Sequence, residues 1–175
     1  MQPKIPGSGS RAASAADPDL NGIATRARAV ALHGAFAGAI GAAAIALWFL
    51  AVDLVVREAL WTPSLVASRL LGGNPGGAID LRLVAAYTLL HAALFIGFAT
   101  ALAAVVTGRE RPLRFPAVAG GGFLALECGA LLGSASFAPG LAAEIGHGWL
   151  AAGNAVAALG MAAYFASYAE APPRS

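Results

Sequence analysis

The stretch FPAVAGGGFLALECGALLGSASF, Phe115 to Phe137, decides the fold. It is longer than the roughly 20 residues that cross ~30 Å of hydrocarbon at ~1.5 Å per residue. A helix on a soluble core would carry a polar stripe along one side, and this one has none. Near its middle stands Glu127, with Cys128 beside it and no lysine or arginine within ten residues. Three further runs share this character: Ala29 to Val56, interrupted by His33 and Asp53; Leu83 to Val106; and about Gly148 to Tyr168. The expectation is an all-α, polytopic membrane protein. Four transmembrane helices, about 29–56, 83–106, 115–137 and 148–168, form an antiparallel bundle over residues 29–170.

Composition agrees. Of the 175 residues, 58% are hydrophobic and only 11% are charged, against about a quarter charged in soluble domains. The net charge of +2 comes from arginines that flank apolar runs. They do not form the clustered patch of a nucleic-acid-binding surface, so no nucleic-acid partner is expected. The single cysteine rules out an internal disulfide and any cysteine-based metal cluster.

Residues 1–28 are rich in Ala, Ser, Pro and Gly and read as a flexible tail, with a short helix possible near Asp19 to Arg28. Residues 171–175 form a second short tail. Cytoplasmic termini would put Lys4, Arg11, Arg26, Arg28, Arg109, Arg111, Arg114 and Arg174 inside, and Arg57, Arg69 and Arg82 outside. That balance favours both ends in the cytoplasm, and the preference for arginine over lysine with abundant alanine points to a bacterial chain, hence to the inner membrane. Arg109, Arg111 and Arg114 then anchor the inner interface, and Trp61 and Trp149 the outer one.

The outer loop 57–82 carries a helix signal: Thr62 as N-cap, Pro63 at the first position and Gly72 as stop. Val66, Ala67, Leu70 and Leu71 would share a face, giving a short amphipathic interfacial helix. Small residues spaced four apart mark possible helix contacts: Gly34 and Gly38, Ala93 and Gly97, Gly129 and Gly133, Gly153 and Ala157.

A carboxylate near the bilayer midplane is costly and should find a partner. Counting helical rise from the outer surface puts His91 at ~12 Å, Glu127 at ~16 Å and Asn154 at ~9 Å. With Thr88 one turn from His91, these four are expected to form a buried polar cluster in the outer half. One reading is a hydrogen-bond knot that fixes helix register. The other is a site for a proton, an ion, a quinone or a pigment, with His91 as the candidate ligand. His33, His91 and His147 lie at three different depths, so no pair suits a bis-histidine haem. An i,i+4 pair with Arg57 accounts for Asp53. No serine elbow, P-loop, metal-ligand spacing or Rossmann glycine pattern is present. No resident cofactor or metal is expected beyond a pigment, quinone or lipid contact.

The segment ALWFLAVDLVVREALWTPSLVASRLLGG resembles one found in a group of small bacterial four-helix integral membrane proteins. The matching residues are Trp48, Phe49, Leu50, Asp53, Thr62 and Pro63. The resemblance implies a four-helix membrane fold and carries no activity with it. Without a catalytic set, the sequence points to a non-catalytic accessory or scaffold subunit of a larger respiratory or photosynthetic type of assembly, in contact with lipid and with other membrane subunits. A small proton- or ion-linked transporter or sensor centred on Glu127 and His91 is the alternative.

Overall fold

The computed structural model describes residues 18–74, 78–107 and 114–169. The elements are α1 (Pro18–Val56), α2 (Trp61–Leu71), α3 (Leu81–Thr107), α4 (Phe115–Phe137), α5 (Leu141–Ile145) and α6 (His147–Ala169). The chain is all-α. Four helices, α1, α3, α4 and α6, are long and apolar enough to cross a membrane. They run alternately up and down, so Pro18 and Ala169 lie on one side of the molecule (the tail side). The short helices α2 and α5 lie on the other (the cap side).

The spans do not close into a ring. α1 packs on α3 and on α6, and α6 packs on α4, whereas α3 and α4, consecutive in the chain, do not pack on each other. The order across the molecule is therefore α3, α1, α6, α4, with α3 and α4 as its edges.

Burial is inverted relative to a soluble bundle. The seams hold small residues: Ala37, Ala99, Ala103 and Ala157 are fully buried, around Met161 and Phe95. Large apolar side chains point away from the protein, with Leu89 74%, Leu132 67% and Phe137 78% exposed. Water would penalise that surface, at about 25 cal/mol per Å², and lipid does not. Between spans, adhesion comes from close backbone approach. At Gly38 a Cβ would lie 2.5 Å from the Ile96 Cα, and at Gly34 it would collide with Thr100. At Gly153 it would lie 2.9 Å from the Trp48 ring. The pairs Gly34/Gly38 and Gly153/Ala157 are thus seams. Gly129, Gly133 and Gly97 are not, because a Cβ there meets nothing within 4 Å. They sit on the edge helices α4 and α3, at positions that no neighbouring span reaches among the described residues.

Several expected boundaries move. The helix of the first span begins at Pro18, so residues 18–28 are one continuous rod with it rather than part of a tail. Arg26 Nη2 donates to the Thr107 carbonyl at 3.4 Å, fastening that rod to the end of α3. Residues 1–17 and 170–175, including the short C-terminal tail, lie outside the described residues, as do Arg109 and Arg111. Arg114 is exposed at the N-cap of α4.

The cap is more deeply built than an interfacial helix. Leu65, Val66 and Ala67 of α2 are buried, while Leu70 and Leu71 are 38% and 40% exposed. Leu65 and Val66 pack with Ala138, Leu141 and Ile145, and with Phe49, Trp61 and Tyr87 alongside. α5 was not foreseen; Gly140 at φ 86 and Gly146 at φ 98 turn the chain into and out of it, conformations that favour glycine.

Candidate functional site

Glu127 projects from the middle of α4 and is half-buried. Asn154, on α6, is 3% exposed and donates from Nδ2 to Glu127 Oε2 at 2.8 Å. The seam that allows this is Gly122 against Ala158, one turn further toward the tail side. Glu127 Oε1 has no hydrogen bond among the described residues. An ionised acidic side chain at such a depth costs on the order of 2.5–3.5 kcal/mol on insertion scales, and one amide donor offsets only part of that.

His91 and Thr88 are not in this cluster. His91 Nδ1 lies 3.3 Å from the Tyr87 hydroxyl one turn away, and its ring packs on Phe95 at 4.8 Å between centroids. Thr88 is exposed and donates to the Val84 carbonyl of its own helix. Lateral order keeps them apart: His91 is on edge helix α3 and Glu127 on edge helix α4. The polar cluster is thus the pair Glu127–Asn154.

The most enclosed polar contact is elsewhere, on the cap side. Asp53 is fully buried, and its carboxyl accepts from the Thr62 N–H at 2.7 Å and the Thr62 hydroxyl at 2.6 Å. The expected i,i+4 ion pair with Arg57 is present at 4.0 Å, and Arg57 has further contacts. Its guanidinium lies 3.9 Å over the Trp61 ring and donates to the Ile145 carbonyl at 2.8 Å. Thr62 is therefore not the N-cap of α2. Leu60 takes that place at φ 65, and this left-handed residue folds Thr62 back onto Asp53. The result is a latch joining α1, α2 and α5. Arg69 and Glu144 add an exposed ion pair of 2.8 Å between α2 and α5.

Trp61 is thus a latch residue rather than a free interface anchor. Trp149 is 42% exposed, as an anchor would be. The Trp48 Nε1–H donates to the Trp149 carbonyl at 3.0 Å. The two indoles, with Gly146, Gly148 and Ala152, line an open cleft of about 410 Å³. On the tail side, His33 Nδ1 is 2.8 Å from the Tyr164 hydroxyl and its ring lies 3.7 Å from that of Tyr168. Position alone hinted at this group, since His33, Tyr164 and Tyr168 all fall near the same membrane face. Among the described residues, no three of His, Cys, Asp or Glu converge as a metal would require.

These features define a polytopic membrane bundle with a carboxylate–amide pair between α4 and α6 and a latched cap. No protein-family model, no curated protein and no solved structure matches the chain.

Proposed function

We propose that this chain is a non-catalytic accessory or scaffold subunit of a larger bacterial membrane assembly, of the respiratory or photosynthetic type. In this reading it lies in the inner membrane with both termini in the cytoplasm. The observation that carries it is the open edge at α4. Among the described residues that helix packs on one span only, its Gly120, Gly121, Gly129 and Gly133 are unfilled, and its Glu127 is only partly buried in mid-span. Glycine faces adhere where another helix comes close, and intramembrane carboxylates face protein or a cavity rather than lipid. A subunit that completes itself only beside a neighbour accounts for both.

The transporter or sensor reading draws no support from His91, whose partner is Tyr87. The test is purification from native membranes in a gentle detergent, with the particle mass measured. A stoichiometric second subunit is expected. A particle with the mass of this chain alone would sink the scaffold reading.

A further inference from the structure

Glu127 stands at the rim of the α4–α6 seam, beside a flank of α4 that no other span covers among the described residues. Helical spacing puts Gly120, Leu124, Glu127 and Leu131 along it, at intervals of four, three and four. Leu124 is 62% and Leu131 39% exposed, and a Cβ on Gly120 would meet nothing within 4 Å. The carboxyl has a partner at Oε2 and none at Oε1 among the described residues. This chain has no cation to offer at that depth: α4 and α6 contain no lysine or arginine, α1 has none beyond Arg28, and α3 has only Arg82 in its first turn.

Resting on the scaffold reading, we propose that this flank binds a transmembrane helix of another protein that carries an arginine or lysine near the bilayer centre. Charge complementarity selects that occupant. A guanidinium or ammonium fills the empty acceptor and neutralises the carboxylate in one contact, and charge-assisted hydrogen bonds of this kind are the strong ones. Protonation alone neutralises the group but leaves the Oε1 side facing hydrocarbon. Asn154 holds the carboxyl in place from the opposite side, so the group meets the incoming helix already oriented. Gly120, one heptad before Glu127, lets that helix approach closely enough for a basic side chain to reach.

The experiment uses the full chain, with a fluorophore on its amino terminus, in phosphatidylcholine vesicles. The probe is a synthetic leucine–alanine transmembrane helix with one central arginine and an acceptor dye. The comparison probe has leucine at that place. Energy transfer should show the arginine probe binding at least tenfold more tightly. Glu127→Gln should reduce it to the level of the leucine probe. Leu124→Trp, which blocks the flank and keeps the carboxyl, should weaken it as well. Both variants are first checked for unchanged helix content and melting. Equal binding of the two probes, or an arginine preference that survives Glu127→Gln, would overturn the proposal. So would self-association of the labelled chain that is lost in Glu127→Gln and outcompetes the probe, since a second copy would then be the occupant. The two readings can fail separately. A native particle that runs alone while the arginine probe still binds removes the scaffold role only. A native partner that stays bound to Glu127→Gln removes the basic-helix site only.

Discussion

α1 and α4 are both glycine-rich spans, and they use glycine in opposite ways. On α1, Gly34 is filled by Thr100 and Gly38 by the backbone of α3 at Phe95 and Ile96. On α4, Gly120, Gly121, Gly129 and Gly133 face open space. The difference comes from position in the row: α1 has a span on either side and α4 has only α6. Glycine spacing therefore marks a helix that can be approached, and the neighbours decide whether it is. What α1 has already used within the chain, α4 still offers.

Three substitutions test that contrast. Gly38→Ala should have the largest effect, a loss of about 2–3 kcal/mol, at the upper part of the overpacking range because the clash is with backbone. Reversible unfolding of the purified chain in mixed micelles would measure it; a neutral result would mean that α1 and α3 are not seated as described. Asp53→Ala should follow, at about 2 kcal/mol, since two buried donors of Thr62 lose their acceptor. Amide exchange should then quicken in α2 and α5 before it does in the spans, and uniform exchange would argue against a separate latch. The smallest effect, and of opposite sign, belongs to Gly129→Ala. With nothing to strike, it should gain about 0.5–1 kcal/mol from helix propensity. Destabilisation of the isolated chain by Gly129→Ala would show that α4 already has an occupant.

The spans were legible in the sequence because the bilayer imposes a length, and apolar runs report length directly. Glu127 and Asn154 were legible for the same reason, as depth follows from counting residues. His91 was misplaced because counting gives depth and not lateral order. Nothing in the run from Leu83 to Val106 states that α1, rather than α4, lies beside it. The Asp53–Thr62 contact was hidden by a nearer explanation, Arg57 one turn away. It depends on Leu60 adopting a left-handed conformation that leucine rarely takes.

The continuity of α1 has a mechanical consequence. No proline interrupts its 39 residues after Pro18, and it is about 58 Å long at ~1.5 Å per residue. Leu20, Ile23 and Ala27 prolong the same face that Gly34, Gly38 and Ile45 bury deeper in the bundle. The helix is a lever whose one end, residues 20–28, is tied to α3 through Arg26 and whose other end carries Asp53. A tilt of ~10° at the first end swings the far tip by about 10 Å over that length. A body that grips residues 20–28 therefore also pulls on the α3 seam and the cap latch, with no hinge between them to absorb the motion.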